Sequence, residues 1–391
     1  MRYRRGRQSW PVSDWMTGMP LPSRSLLPAA LVATLALAGP SAGVEVVAEQ
    51  QQATPVERIS LRNRQIELTV TPAFGGRVLA FQRPGQPNVL KIGPAVEQQP
   101  APVVSAAAGD IAYLGHDVWV GPQSQWWRDQ QVNPQRAAEG AVWPPDPYLS
   151  LASTRITQRE PTLLELDGLF SPVTGVQLHK RFALSAERAD TVELLVSAEN
   201  RRASAVSWDL WFNTRVAAGT RIFVPVADAA DVRVQPPSDP NTVAPTYRHA
   251  KGVLALRVEP RTDGQIQRGK LLLQPSAGWM AGFAGAQVLV IRFPHYPTAF
   301  IHREQGQVEL YVDAPAEQPQ QGLLELEVHA PFQTLATGQQ MEAQERWTLL
   351  SYDGPDEPLA QRRFLCSQAD ALGLADACEP SVPATAHRHA R

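Results

Sequence analysis

From Leu163 onward the chain repeats one theme: a short run of alternating apolar and polar residues, then a turn. Val176–Leu184, Thr191–Ala198 and Val206–Phe212 set the pattern. Similar runs recur at 221–226, 231–234, 253–258, 270–274, 278–283, 287–293, 307–312, 323–329 and 345–350. A period of two places successive side chains on opposite faces of a strand, so each run reads as a half-buried strand. Gly, Pro, Asn or Asp stands between the runs, and helical stretches are few. So many strands without helical crossovers exclude a parallel α/β sheet and imply antiparallel sheets packed as a sandwich. In Val206–Phe212 the alternation puts Trp208, Leu210 and Phe212 on one face, and Ser207, Asp209 and Trp211 on the other.

The 391 residues suffice for one large all-β domain or two ordinary ones, and 35 prolines and 26 glycines suit many turns. Net charge is −2, with no basic stripe carrying interleaved aromatics, so nucleic acid is not an expected partner. Residues 1–43 read as a leader. Arg24 precedes the apolar run Leu26–Ala38, and small residues follow at Gly39–Gly43, the pattern of a secretory signal peptide. The run is too short to span a bilayer, so the mature chain is expected to be periplasmic or secreted, without a membrane span. Residues 44–58 then form a loose lead, 59–352 the β domain, and 353–391 a tail with one short helix over Pro358–Leu372, ended by Gly373. The two cysteines, Cys366 and Cys378, both lie in that tail. A disulfide between them would add roughly 2–3 kcal/mol by closing a short loop; two free thiols are the alternative.

At the N-terminal end, Ile66–Val70 alternates, Thr71–Gly76 is turn chemistry, and Arg77–Phe81 resumes a strand. Then comes Gly115-His116-Asp117-Val118-Trp119-Val120-Gly121-Pro122-Gln123-Ser124-Gln125-Trp126-Trp127, where indoles mix with imidazole, carboxylate and amides. Such a mixture suits a ligand with C–H faces and a fringe of hydroxyls, as in a sugar. The alternative is a structural loop whose tryptophans plug the end of a sheet. The proline-rich stretch Val142–Tyr148 reads as an irregular, exposed loop carrying Trp143.

Several of these features occur together in a known family. Ile66–Phe81, with its strand, Gly75-Gly76-Arg77 turn and second strand, resembles the opening of the galactose-mutarotase-like superfamily. So do Lys180-Arg181-Phe182, the strand ending at Asn200, Trp208–Asn213, and the closing run Leu323–Glu327 with Gly338 and Trp347. With the Gly115–Gln123 segment included, the chain is most similar to a bacterial branch of that superfamily described only as a domain of unknown function. The likeness covers about Ile59 to Tyr352. It implies a β-supersandwich of large antiparallel sheets with a concave sugar-binding face. It also implies a choice among aldose epimerases, domains of hydrolases and lyases, and binding modules.

In the epimerases a glutamate takes the anomeric proton and a histidine protonates the ring oxygen, helped by a second histidine. By that resemblance His116 is the candidate acid and Glu309, in Val308–Pro315, the candidate base. Where the epimerases place an Asn-His pair this chain has Asn213-Thr214, a departure that weighs against mutarotation. Candidate sugar contacts are Arg77, Asp117, Trp119, Gln123, Gln125, Trp126, Trp127, Trp143, Asn213 and Arg215. Glu325 and Glu327 share a strand face, which ordinarily marks a solvated side. The histidines are scattered singly, so no metal site is expected, and no cofactor. The leading expectation is an exported carbohydrate-binding protein. The alternatives are an epimerase or polysaccharide-processing enzyme using His116 and Glu309, and an envelope scaffold without a sugar site.

Overall fold

The structure is a computed structural model that describes residues 55–237 and 239–378. The leader read over 1–43 and most of the lead over 44–58 lie outside the described residues.

Two large sheets make up the molecule. The larger has eleven strands. Its main path runs Ile59–Arg62, Glu67–Thr71, Arg77–Gln82, His116–Gly121, Val206–Ala217, Leu323–His329, Val308–Ala314, Ile266–Leu273 and Val232–Gln235. Every pairing on this path is antiparallel, and two short strands attach beside it, Thr242–Val243 on Ile266–Leu273 and Gln333–Leu335 on Val206–Ala217. The second sheet has ten strands. It runs from Tyr247–Ala250 and Val253–Leu256 through Arg221–Pro225, Trp279–Ala284, Gln287–Arg292, Gln340–Ser351, Thr191–Asn200, Val176–Leu184 and Leu163–Asp167 to Arg155–Glu160. The antiparallel sandwich read from the alternation, with the large sheets that the resemblance implies, is therefore the fold observed.

The alternating runs work as expected because one parity of each strand enters the core between the sheets. From the larger sheet Phe212, Val118, Leu326 and Leu310 are buried there, and from the smaller one Phe182, Leu194, Leu289 and Trp347. Each large apolar side chain so buried contributes about 1.5–3 kcal/mol. The strand starting at Val206 extends five residues beyond the expected Phe212, to Ala217, because Asn213 and Arg215 continue the outward parity and Thr214 and Val216 the inward one. Helix Pro358–Ser367 and the single turn Ala369–Leu372 cap a second cluster around Phe283 and Tyr352. Gly373 ends the tail helix in the left-handed conformation (φ 65°), and Cys366 and Cys378 are joined. No helix among the described residues is long and apolar enough to cross a membrane.

Two local expectations are corrected. The Gly115–Trp127 segment is not a loop in its first half. His116–Gly121 is a fully buried strand at the middle of the larger sheet, between Arg77–Gln82 and Val206–Ala217. Its mixed composition reflects two different burial environments, one on each face. The Val142–Tyr148 stretch is not exposed either. Pro144 to Pro147 are buried, and the Asp146 carboxylate accepts from the hydroxyls of Ser171 and Thr174 and from Tyr148 N–H. These hydrogen bonds offset the burial of the Asp146 carboxyl, and the prolines beside it bring no backbone N–H that would need a partner.

Candidate functional site

The face of the larger sheet turned away from the second sheet, its outer face, carries a row of polar residues from four adjacent strands. Asp117 lies opposite Asn213, Asn213 opposite Glu327, and Glu327 opposite Glu309. A parallel row holds Trp119, Trp211 and His329. A third holds Arg215, Glu325, Tyr311 and Lys270. Segments Pro122–Pro147 and His302–Gly306 cover the first two rows, whereas Glu325, Tyr311 and Lys270 at the open end are partly exposed.

At its centre is an ion-pair network. Lys270 Nζ lies 2.8 Å from Glu309 Oε2 and 2.7 Å from Glu327 Oε2. His329 lies with Nε2 3.6 Å from Glu309 Oε1 and Nδ1 3.3 Å from Asp209 Oδ2. Gly306 N–H donates to Glu309 Oε1, and Gly121 N–H to Asp209 Oδ1 at 2.8 Å. Gly121 has to be glycine, since a Cβ there would stand 2.3 Å from the Gln305 amide and 2.5 Å from Asp209.

Burial penalises every charge here, and the partners decide which charges survive. Burial works to raise the Glu309 carboxyl, but Lys270 and His329 outweigh it and hold the group well below the usual carboxylate range. Burial works against a charged His329, but Glu309 and Asp209 overcome it and lift the imidazole to about 9. Burial raises Glu327, and the neighbouring Glu309 charge adds to the shift against the pull of Lys270, so this carboxyl keeps its proton. Donor atoms of Glu309, Glu327 and His329 lie within 4.8 Å of one another, a grouping that could ligate a metal. With Lys270 between the two carboxyls and His329 protonated, the set is already neutralised by the chain's own cations.

Around the network the tryptophans form a nest. Trp119 meets Trp211 edge to face at 5.0 Å and Trp126 at 5.5 Å, and Trp126 stacks on Trp211 at 5.7 Å. Trp143 approaches Trp119 at 6.1 Å. The Arg215 guanidinium lies 4.8 Å over the Trp119 ring, and Lys270 Nζ 4.8 Å over Trp211. Among the described residues several buried polar atoms here have no hydrogen-bond partner. They are Trp211 Nε1, both amide atoms of Asn213, Arg215 Nη1, Gln305 Oε1, Glu327 Oε1 and His329 Nε2.

The expected site residues divide as follows. Glu309, Trp119, Asn213, Arg215 and Asp117 share the outer face, and Trp143 is half-buried at its cover. Asp117 is committed elsewhere. It takes Arg77 at 2.7 Å and Lys180 at 3.2 Å, and these cations, outweighing burial, keep it ionised. Arg77 is thereby a buried structural cation, not a free one. Gln123 donates to Val142 O at 2.9 Å, and Gln125 meets Arg128 at 3.3 Å, so both tie their own segment together. Trp126 and Trp127 are fully buried, with Trp127 Nε1 donating to Pro144 O. They act as plugs rather than stacking platforms.

His116 faces the other way. It lies in the core between the sheets, its Nδ1 2.9 Å from Thr214 Oγ1 and its ring edge-on to Trp347 at 4.7 Å. Burial, reinforced by Lys180, drives it well below 6.5 and keeps it neutral. It therefore shares no ligand with Glu309, because adjacent residues on a strand point to opposite faces. Reasoning from sequence missed Asp209, Trp211, Lys270 and His329, and read Glu327, which is buried, as part of a solvated face. The signal available was the polar parity of 209–215, 309–313 and 325–329, opposite an apolar parity on each strand.

The fold that carries this charged outer face is a β-sandwich of two large sheets. The chain belongs to the family described as domain of unknown function DUF4380, whose profile matches residues 56–350. No curated protein matches it. Among solved structures it is similar to a putative aldose 1-epimerase from Escherichia coli K12, with 13% identity over 76% of this chain and 99% of that one (TM-score 0.48). It is similar as well to the Slr1438 protein of Synechocystis sp. PCC 6803, with 12% identity over 76% and 98% (TM-score 0.49). A third is a galactose mutarotase related enzyme from Lactobacillus acidophilus, with 8% identity over 77% and 99% (TM-score 0.48).

Proposed function

We propose that this protein is an exported carbohydrate-binding protein that holds a sugar on the outer face of its larger sheet. The observation behind this reading is the set of unpartnered buried polar atoms on Trp211, Asn213, Arg215 and Glu327, within a nest of indoles. Each buried donor or acceptor left unpaired costs about 1–3 kcal/mol. A molecule with several hydroxyls supplies the missing partners, and its C–H faces suit the indole rings. Export rests on the Leu26–Ala38 run and is tested by fractionating cells that express the full chain and sequencing the N-terminus of the mature protein. Sugar binding is tested by a thermal-shift screen against neutral monosaccharides, uronic acids and oligosaccharides. A stabilising sugar whose effect vanishes in Asn213→Ala supports the reading. No shift across the panel favours an envelope scaffold instead.

A second reading has its own observation. Ionised Glu309 lies 3.6 Å from protonated His329, and protonated Glu327 stands across the strand pair. A base and two acids on one face are the equipment of proton transfer between sugar oxygens. Anomer exchange by the bound sugar, lost in Glu309→Gln, would make the protein an epimerase with His329 or Glu327 in the role assigned by resemblance to His116.

A further inference from the structure

We infer that the sugar held on the outer face is a sugar acid, with its carboxylate received between Asn213 and Arg215 at the open end of the site. This rests on the sugar-binding reading above and specifies its substrate class.

Donors outnumber acceptors among the unpartnered atoms of this face: Trp211 Nε1, Asn213 Nδ2, Arg215 Nη1 and His329 Nε2 stand against the amide oxygens of Asn213 and Gln305. Along the single strand Val206–Ala217, Trp211 Nε1, Asn213 Nδ2 and Arg215 Nη1 project from alternate positions onto the same face. Across from them, among the described residues, stands the unpartnered carboxyl oxygen Glu327 Oε1. Because burial beside Glu309 keeps that carboxyl protonated while Oε2 faces Lys270, Oε1 is available to donate as well. A neutral sugar hydroxyl donates as readily as it accepts, and the amide oxygens of Asn213 and Gln305 would serve only two of its protons. A carboxylate only accepts. The row spans four residues, about 13 Å at ~3.3 Å per residue, longer than one carboxylate. The anionic group therefore takes one end, and ring oxygens extend toward Trp211.

Arg215 marks the anionic end. Its Nε is taken by Glu325 Oε1 at 2.9 Å, which fixes the guanidinium plane and leaves Nη1 directed at the site. The charges facing Arg215 are Glu325, Asp117, Arg77 and Asp110. Asp117 is already matched by Arg77 and Lys180, and the Asp110 carboxyl, raised by burial against the pull of Arg215 and Arg77, belongs to a residue with much of its surface in water. One fixed guanidinium N–H beside an amide N–H suits a planar carboxylate, whereas a phosphate ordinarily draws on two or more cations.

Calorimetric titration of the full chain with glucuronate, galacturonate, glucose 6-phosphate, glucose and galactose tests the inference. The uronates are expected to bind at least about tenfold tighter than their parent hexoses, the worth of one charge-assisted hydrogen bond. Arg215→Gln is expected to lower that ratio about tenfold, and Glu325→Gln, which releases the guanidinium, to raise it. Arg215→Lys, which keeps the charge but loses the fork, is expected to fall between. Should Arg215→Gln not fold, the Glu325→Gln and Arg215→Lys ratios decide. Equal affinity for acid and hexose, or ratios indifferent to these substitutions, overturns the inference and leaves sugar binding standing. Tighter binding of glucose 6-phosphate than of glucuronate overturns the carboxylate. Binding of none of the five overturns both this inference and the sugar-binding reading.

Discussion

The two faces of the larger sheet bury ionisable side chains in opposite ways. On the inner face His116 is a lone imidazole, neutral, with one nitrogen on Thr214 and its ring against Trp347. Nearby in the core, Glu345 is raised to about 8 by burial, accepts one hydrogen bond from Trp347 Nε1, and stays protonated. On the outer face His329 sits between two carboxylates and stays charged, and Glu309 stays ionised between two cations. An isolated buried group gives up its charge, because desolvation has nothing to offset it. A networked one keeps its charge, because its neighbours supply more than burial removes. Charge retained indoors is therefore what separates the candidate site from these core groups, even though burial alone is similar on the two faces.

Four experiments would break or sharpen that contrast. The largest effect is expected from Trp347→Ala, which empties the inner face and should destabilise by about 3–5 kcal/mol in urea unfolding. Ligand affinity of the folded fraction should be unchanged; a loss of binding would show that the faces are not independent. Next, Lys270→Met leaves Glu309 without its principal cation and should cost about 3 kcal/mol. Adding Glu309→Gln should recover much of that, and an additive double mutant would dismantle the network.

Third is pH. His329 has a folded-state value near 9 against about 6.5 unfolded, so the native state holds more protons in between. Its contribution is complete below about 6.5 and is lost as pH rises through about 9, a decline on the order of 3 kcal/mol. His329→Gln should flatten the urea-midpoint profile in that window. Glu345→Gln should flatten the profile between about 4.5 and 8, where a raised carboxyl loses its contribution by the same sign. If the two windows coincide, the two faces do not titrate separately. The smallest effect is His116→Ala, expected to cost about 1–2 kcal/mol in packing while leaving sugar affinity untouched. Weakened binding at unchanged stability would return His116 to the site.

Much of the fold was legible because side-chain parity is a local property. The strands Val176–Leu184 and Leu323–His329 have the bounds that alternation alone marks, and the division of Val206–Phe212 into two faces is the one observed. The site was only partly legible. Glu309, Asn213 and Arg215 lie on one face, as grouped by resemblance and chemistry. Glu325 and Glu327 read as a solvated row, since nothing in their own strand says that Trp126, Gln305 and their segments fold across that side. His116 looked functional because of its neighbours in sequence, yet a neighbour on a strand is on the other face.

The sequence by itself determined the class of fold, the approximate strands and which residues of a strand travel together, because the pleat repeats every two residues whatever surrounds it. Only the tertiary structure decided which face became core and which became site. That choice depends on segments far apart in the chain meeting over the sheet, and on whether each buried charge finds a partner there.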